Sequence, residues 1–431
     1  MKNEKVVCVL VFSFATIMGC TETASAPTSA DSAAMDVRHI EDVSGLIDAN
    51  PDAHQTPDIH PDVMQTDTTF RTNPTLATLN DNQARDLGTY ACPSIVAGEP
   101  SNLCQHITDY SGFVYNAHSH RMMMFGGGHS STSTDDVVIF DFDLLTWTSS
   151  YTPTPCAAMT LANYDVATAT WTSTGHPVSR HTYDKLVIHP ANDRLVVVGG
   201  RAMGAPCVAF QAESEHEAGY DAISFYNPLT KTWRNTGFKR PWHGYAATEI
   251  DPQTGQLIIF DTLKVWSFDL DTLEVVHSKS HGIAGLGIDH SLVYYPPTDT
   301  FYSIRGDHGY AVYEIKLDRS DFSQSSVKQL PAPTGDAPPI PDDQFYVYYG
   351  GYAYDSHNEV IGGGVRDGSF YIFFPRENRW EKEVVDIVNP SSPVGDVAFH
   401  ALDYDPINNV FIFINRDYQA GPKTFAYRYR R

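Results

Sequence analysis

Basic residues are scarce in this chain of 431 residues. Only 29 Lys and Arg stand against 52 Asp and Glu, which gives a formal net charge of −23 at pH 7. Such a charge argues against a general attraction to nucleic acid or to an anionic membrane surface. It favours solubility and says little about any local site. We therefore expect no nucleic-acid partner.

The apolar run near the N-terminus is too short to span a bilayer comfortably. It covers residues 6–18 behind two lysines, as in an export signal, and Ile-Met-Gly-Cys at positions 17–20 closes it. These four residues resemble the lipobox of bacterial lipoproteins. The resemblance implies a signal peptide over residues 1–20, lipidation of Cys20 and an acyl anchor in the bilayer of the cell envelope. Thr21 and Glu22 favour the outer membrane, whereas the alternative is an ordinary secretory signal cleaved nearby.

Apolar residues are also rare after the signal. Residues 21–72 are dominated by Thr, Ser, Ala, Pro, Asp and His, and almost nothing apolar recurs at a helix or strand period. This composition predicts a disordered linker over 21–72, followed by one folded domain over 73–431. The Asp and His spacing around Asp58 and His60 is compatible with weak chelation of a divalent ion, but a solvated acidic spacer is the favoured interpretation.

Cysteine is scarce as well, with six in the chain. Once Cys8 leaves with the signal and Cys20 takes lipid, four remain: Cys92, Cys104, Cys156 and Cys207. No spacing among them resembles a zinc motif, and an even count in an exported chain favours disulfides. We expect Cys92–Cys104, which closes a short loop, and Cys156–Cys207, which joins two insertions. The two other pairings and free buried thiols stay open.

What the sequence does contain is a short-strand pattern that recurs six times. We set its register on one reference residue per unit: Asn116, His189, Asp251, Tyr295, Asp355 and Asp405. Six places before these stand Tyr110, Tyr183, Tyr245, Asp289, Tyr349 and Phe399, of which five are aromatic. Self-similar units of about 40–50 residues made of short strands predict an all-β fold, a β-propeller.

Three of the units resemble kelch repeats, in which a diglycine ends the second strand and a Tyr and a Trp follow. The matching residues are Gly199-Gly200 with Tyr226 and Trp233, Gly362-Gly363 with Tyr371 and Trp380, and Gly126-Gly127 with Trp147, this last unit having Phe140 where the Tyr would be. The resemblance implies a kelch-like propeller. We predict six blades, with a seventh left open by Tyr164-Asp165 and Trp171, and expect residues 75–107 to add a strand to the final blade.

In a propeller, the turns after the second strands and the starts of the first strands share the face around one end of the central channel. The turns place there His129, Arg201, Asp261, Arg305, His308, Arg366 and Arg416, and the strand starts place there His181, Tyr183, His243, Tyr245, Arg180 and Arg240. Two residues apart on one strand, His181 and Tyr183 would share a strand face. Cations on an acidic protein predict an anionic ligand, because Arg matches carboxylate or sulfate. Arg–Asp pairing and blade packing are the structural alternatives.

We call this end of the channel the mouth, and three classes of function are compatible with its residues. The first is a polysaccharide lyase, which needs a cation to neutralise a uronate, a base to remove its C5 proton and an acid to protonate the leaving oxygen. These roles fit Arg201, Arg305 or Arg366 for the cation, His181 or His243 for the base, and Tyr183 or Tyr245 for the acid. Some polysaccharide lyases are propellers with such residues, but this chain is similar to them in architecture only.

The second class is a binding module for a glycan or a protein, because kelch repeats are often recognition platforms. The third is a copper oxidase similar to galactose oxidase, a family that needs a Tyr-His pair. No Tyr-His dipeptide occurs in this sequence, which disfavours that class. No nucleotide or haem motif occurs either. We predict no cofactor, leave a structural calcium or other divalent ion open, and expect a monomer that takes an acidic polysaccharide or oligosaccharide.

Overall fold

A computed structural model describes residues 70–90, 96–98, 111–126, 132–200, 207, 222–242, 244, 246–283, 290–305, 311–339, 351–388, 394–415 and 422–431. Six sheets of four or five strands make up these residues, together with one small hairpin. The innermost strands of the sheets contact one another in a closed ring. The predicted all-β propeller with six blades is therefore confirmed.

The first half of the ring follows a short helix, α1 (Pro74–Ala77), and an N-terminal strand, β1 (Gln83–Thr89). Blade 1 contains β2 (Phe113–Asn116), β3 (Arg121–Met124), β4 (Val138–Asp141) and β5 (Thr146–Ser149). The small hairpin is β6 (Tyr164–Asp165) and β7 (Thr170–Trp171). Blade 2 contains β8 (Leu186–Ile188), β9 (Leu195–Val198), β10 (Ala222–Asn227) and β11 (Thr232–Lys239), and blade 3 contains β12 (Ala247–Ile250), β13 (Leu257–Phe260), β14 (Lys264–Asp269) and β15 (Glu274–Ser280).

The second half has the same plan with additions at its outer edge. Blade 4 contains β16 (His290–Tyr295), β17 (Thr300–Arg305), β18 (Val312–Lys316) and β19 (Ser326–Gln329). Blade 5 contains β20 (Thr334–Gly335), β21 (Tyr352–Asp355), β22 (Val360–Arg366), β23 (Ser369–Phe374) and β24 (Arg379–Val384). Blade 6 contains β25 (Asp386–Val388), β26 (Val397–Asp405), β27 (Val410–Asn415) and β28 (Lys423–Arg428). Single 3₁₀ turns lie at Cys156–Ala158, Leu161–Asn163, Pro296–Thr298 and Phe322–Gln324.

The ring closes through the two ends of the domain. Strand β1 pairs antiparallel with β28, with Gln83 opposite Arg428, and parallel with β25 on its other side. This confirms the predicted contribution of residues 75–107 to the final blade. Pairing both edges of β1 protects them from other chains. The phrase Tyr164-Asp165 with Trp171 forms the hairpin β6–β7 between blades 1 and 2, so it is not a seventh blade.

The reference residues of the repeat shape the turn between the first and second strands. Asn116, Asp251, Asp355 and Asp405 each accept a backbone N–H two residues further on, as in an Asx turn. Most of the residues four places after a reference residue have positive φ: His120, Gly255, Asp299, Glu359 and Asn409. The repeat visible in the sequence is thus a repeated turn.

Apolar layers between neighbouring blades form the core. Between blades 1 and 2, for example, Met123 and Phe125 pack with Val197 and Tyr226 in one buried cluster. Burying each such side chain stabilises the fold by roughly 1.5–3 kcal/mol. No helix in the described part of the chain is long and apolar enough to cross a membrane.

A disulfide joins Cys156 to Cys207, as predicted, with the two Cα atoms 5.1 Å apart. It fixes the segment before the hairpin β6–β7 to the connection between β9 and β10 of blade 2. The backbone N–H of Cys207 donates to Ser133 Oγ of blade 1 at 2.8 Å, so this bond lies where the two blades meet. Cys92 and Cys104 are outside the described residues, as are Cys20 and the proposed signal.

Candidate functional site

Residues 180–185 enter blade 2 at the end of the channel where the second strands end. The structure brings His181 and Tyr183 together, with His181 Nδ1 3.2 Å from Tyr183 Oη. The local geometry differs from the expected strand, because β8 begins only at Leu186 and Tyr183 lies in a turn with φ of +47°. A turn, and not the alternation of a strand, therefore forms this His–Tyr pair.

Close backbone packing holds that turn. A side chain on Gly112 would place its Cβ 2.5 Å from the Tyr183 carbonyl oxygen, so only glycine fits there. The Thr182 hydroxyl donates to the Phe125 carbonyl at 3.0 Å on the same side. A left-handed conformation costs a bulky residue on the order of 1–3 kcal/mol and persists only where the surroundings impose it, commonly at functional sites.

Gly126 and Gly200, from the diglycines of blades 1 and 2, serve the same packing. A Cβ on Gly126 would lie 2.6 Å from the Arg180 carbonyl oxygen, and one on Gly200 would lie 2.7 Å from the His181 carbonyl oxygen. The ends of the second strands in blades 1 and 2 thus press directly on the backbone that carries His181. These glycines position the segment and contribute no chemical group.

A second histidine, His400 of blade 6, also contacts the ring of Tyr183. The two rings meet edge to face with centroids 6.3 Å apart, and His400 Nδ1 is 3.4 Å from Ser291 Oγ of blade 4. His400 was not among the residues predicted from the sequence. The register contained the signal, since His400, His290 and Asp184 all stand five places before a reference residue.

Lys185 brings a positive charge to the same place. Its side chain is buried, its Nζ donates to the Gly244 carbonyl and it lies 4.8 Å from the centre of the Tyr183 ring. We call the residues around this point the mouth cluster: His181, Tyr183, Lys185, Ser291 and His400. The mouth cluster brings together side chains from blades 2, 4 and 6 at one end of the channel.

Three predicted arginines have side chains that the structure describes, and all three have protein acceptors. Arg180 is fully buried and donates to the Ala222 carbonyl at 3.0 Å and to Ser224 Oγ at 3.2 Å, so its guanidinium is directed into blade 2. Arg240 donates to the Trp242 carbonyl. Arg366, the last residue of β22, donates to the Pro339 carbonyl at 2.9 Å and lies 3.7 Å from Asp367.

The remaining predicted positions are only partly covered by the structure. Arg305 ends β17 opposite His290, and Asp261 caps its own turn by accepting the N–H groups of Leu263 and Lys264. The other six candidates lie outside the described residues: His129, Arg201, His243, Tyr245, His308 and Arg416. Their roles stay predictions.

Below the mouth cluster, the channel contains a cavity of about 410 Å³ with three carboxyl groups in its wall: Asp184, Glu249 and Asp403. Asp184 accepts the Leu292 N–H at 2.7 Å, Asp403 accepts the Tyr115 N–H at 2.6 Å, and Glu249 accepts the Ile250 N–H at 2.8 Å. The first two contacts tie blade 2 to blade 4 and blade 6 to blade 1. The acids therefore stabilise the ring as well as line the channel.

Burial perturbs the ionisation of all three acids. It raises the pKa of Glu249 to about 8 and that of Asp403 to about 6, with backbone donors opposing part of the shift. It raises the pKa of Asp184 well above its usual range, and the charges of Glu249 and Asp403 add to this. Strongly perturbed acids in a cleft mark candidate functional sites as well as structural networks.

Among the described residues, no three His, Cys, Asp or Glu side chains lie close enough to hold a metal ion. No protein-family model matches the chain, and no curated protein matches it.

Three solved structures show distant similarity to this chain. A protein of unknown function from Bacteroides thetaiotaomicron is 12% identical, with 82% of this chain and 73% of that chain covered and a TM-score of 0.45. An auxiliary nutrient binding protein from the same organism is 9% identical, with 83% and 75% covered and a TM-score of 0.45. A fungal alcohol oxidase of the AA5 family in complex with copper is 10% identical, with 74% and 62% covered and a TM-score of 0.38. Similarities this distant carry no conclusion about activity.

Proposed function

We propose that this protein is a polysaccharide lyase that cleaves an acidic polysaccharide by β-elimination at the mouth of its propeller. The observation that carries the proposal is the 3.2 Å contact between His181 Nδ1 and Tyr183 Oη. It pairs a base with an acid at one point, which is what an elimination requires. The mouth cluster also concentrates a second histidine and a lysine, His400 and Lys185, around the same tyrosine.

The cost of building this cluster supports a role in chemistry. Tyr183 adopts a left-handed conformation, and its polar neighbours are buried, both of which oppose folding unless other contacts compensate. A purely structural core would place apolar side chains there at lower cost. Retaining titratable groups at a channel mouth is typical of an active site.

The proposed reaction balances its protons through this pair and water. His181 removes the C5 proton of a uronate residue, the electrons of that C–H bond form the C4–C5 double bond, and the C4–O bond breaks. Tyr183 gives its proton to the leaving oxygen. The Nδ1 proton of His181 then passes to the Tyr183 phenolate along their hydrogen bond, and release of the abstracted proton from Nε2 to water with uptake of one at Nδ1 restores the starting imidazole.

Binding of the substrate carboxylate is assigned to cations around the cluster. Lys185 contributes positive charge from within the cluster. The candidates from the sequence are His129, Arg201, Arg305, His308 and Arg416. We further propose that an acyl chain on Cys20 and the linker 21–72 hold the propeller at the outer membrane, where it meets extracellular glycans.

A panel assay tests this function. The full chain is incubated with polyuronates and other acidic glycans, and the absorbance of the unsaturated uronate product is followed. We expect the signal to rise with at least one substrate and to be lost in His181→Ala and Tyr183→Phe. No rise across a broad panel would overturn the proposal.

One observation favours a second function, a non-catalytic glycan- or protein-binding module. His181 is only 1% exposed and Tyr183 only 6% exposed, and the described arginines are engaged by the protein. A binding surface does not require His181 and Tyr183 to touch the ligand, so their burial is compatible with this function. Glycan binding that persists in His181→Ala, in a parent protein without turnover, would support this function over the lyase.

A further inference from the structure

The cavity in the channel is a site separate from the mouth cluster. Its wall includes Pro252 and Pro296, which directly follow two reference residues, so it extends towards the turns between first and second strands. This is the opposite end of the channel from His181 and Tyr183, and neither of those residues lines it. We propose that this cavity binds an organic ammonium ion, with its charge among the carboxyl groups of Asp184, Glu249 and Asp403 and its apolar part against a wall of tyrosines.

The charge of the wall is one-sided. Three carboxyl groups line the cavity, and the described lining residues include no Lys, Arg or His. Buried charges are normally paired, because removing them from water is costly. Lys185 lowers the pKa of Asp184 from the mouth side, but burial and the other two acids outweigh it. A bound cation would stabilise the ionised form of these acids and would take the place of their protons.

The spacing of these acids favours an extended cation over a metal ion. The three acids interact electrostatically: the charges of Glu249 and Asp403 raise the pKa of Asp184, and the charge of Asp403 raises the pKa of Glu249. They do not approach closely enough to form a metal site. A volume of about 410 Å³ lies in the usual range for small-ligand sites. An ammonium group with a short carbon chain therefore fits the spacing better than a bare ion.

Aromatic rings supply the rest of the wall. Five tyrosines line the cavity: Tyr115, Tyr294, Tyr352, Tyr354 and Tyr404. The hydroxyls of Tyr294 and Tyr404 donate to Asp299 and Asn409 in the turns, at 2.9 and 2.8 Å, so these rings meet the cavity as aromatic surface. Aromatic faces attract cations, and several together recognise quaternary ammonium groups.

Isothermal titration of the full chain with choline tests the proposal. Its control ligand is 3,3-dimethylbutan-1-ol, which has the shape of choline without the charge. We expect choline to bind in a 1:1 ratio and the neutral analogue to bind at least about tenfold more weakly. Equal affinity for the two ligands, or no choline binding at millimolar concentration, would overturn the proposal. Binding of Ca²⁺ in place of choline would overturn it as well.

A matched pair of variants locates the site. Glu249→Gln keeps the shape of the side chain and, at about pH 8.5 where Glu249 is largely ionised, should weaken choline binding about tenfold because a charged partner is lost. Glu274→Gln makes the same change on the exposed outer strand of blade 3 and should leave the affinity unchanged. If Glu249→Gln fails to fold, Tyr354→Leu gives a second test, because removal of this ring from the cavity wall should also weaken choline binding. Unchanged affinity in folded Glu249→Gln would contradict the assignment.

The pH dependence gives a further readout. The titratable groups that face the ligand are the three acids and the five tyrosines, with Lys185 near Asp184 and Asp405 near Asp403. Choline affinity should rise between about pH 5.5 and 8.5, as Asp403 and then Glu249 ionise. Binding should release protons, which titrations in buffers of different ionisation enthalpy detect. A flat affinity over this range would contradict the proposal.

Discussion

His120 Nε2 lies 3.1 Å from Asp405 Oδ2, and this buried contact joins blade 1 to blade 6. It belongs to a series in which a reference residue contacts the next blade. Asn116 donates to Asp193, His189 pairs with Asp271, Asp251 binds Arg319, and Tyr295 donates to the Glu359 carbonyl. The residues that define the repeat in the sequence thus also connect the blades.

Breaking the His120–Asp405 contact, which joins the first blade to the last, should destabilise the whole ring. We expect His120→Ala to reduce the free energy of unfolding by about 2–4 kcal/mol, because Asp405 would stay buried without this partner. The equivalent contact in blades 2 and 3 ends on Asp271, which is 80% exposed. Asp271→Asn should therefore cost less than about 1 kcal/mol. Urea unfolding compares the two variants, and equal losses would contradict this account of ring closure.

Stability should fall as pH rises, because folding raises the pKa values of Glu249 and Asp403. In the folded state these values are about 8 and 6, against 4.5 and 3.8 for the unperturbed groups. Between the two values of each acid the folded state binds more protons than the unfolded state, so the free energy of unfolding decreases with pH up to about pH 8.

Denaturant unfolding from about pH 4.5 to 8.5 measures this slope. Glu249→Gln should flatten it above about pH 6 and raise stability at about pH 8 by on the order of 1–3 kcal/mol. Glu274→Gln, at an exposed position, should keep the parental slope. An unchanged slope in Glu249→Gln would show that this carboxyl does not titrate as assigned.

The His–Tyr pair should control turnover and not substrate binding. We expect Tyr183→Phe to lower kcat by about 10²–10⁴-fold with little change in KM, since it removes the proton for the leaving oxygen. Tyr302→Phe makes the same change in the core of blade 4 and should leave kcat unchanged. The measurement is steady-state product absorbance on the best glycan of the panel. A rise in KM alone would assign Tyr183 to binding.

Gly112 should be intolerant of a side chain. An added Cβ would meet the Tyr183 carbonyl oxygen at 2.5 Å, so Gly112→Ala should displace the turn that carries Tyr183 and cost about 1–3 kcal/mol. Gly175 has φ of +74°, but an added Cβ would have nothing within 4 Å, so Gly175→Ala should cost about 1 kcal/mol from backbone strain alone. Thermal unfolding ranks the two, and a smaller effect at Gly112 would disprove the close packing.

The Cys156–Cys207 bond should stabilise the domain because it restricts the conformations of the unfolded chain. It spans 51 residues of sequence, and closing such a loop is worth about 2–4 kcal/mol. The double variant Cys156→Ser with Cys207→Ser should lose this amount in urea unfolding. Reduction of the parent should produce a similar loss, and full resistance to both would contradict the assignment.

Local periodicity made most of the fold predictable. The spacing of the reference residues identified all six first strands, because each turn is built by side chains within four residues of one another. The closing strand was expected because a propeller ring usually pairs its two ends, and Cys156–Cys207 belonged to the favoured one of three possible pairings.

The candidate site was predictable only in part. His181 and Tyr183 were named from the register, but their contact depends on a left-handed turn that Gly112 permits from another blade. His400 and Lys185 were missed, and Arg180 points into its own blade. The register does mark the position of His400, but the contacts among these side chains depend on how the blades approach one another and not on the repeat.

The sequence by itself determined the all-β propeller and the register of its repeated unit, and it favoured six blades and the Cys156–Cys207 pairing over alternatives that the structure then excluded. The tertiary structure decided which polar side chains meet around the channel, including the three acids of the cavity. The physical reason is that strand and turn formation depend on near neighbours along the chain. Convergence at the channel depends instead on backbone approach between blades, which is set by the packing of the entire ring.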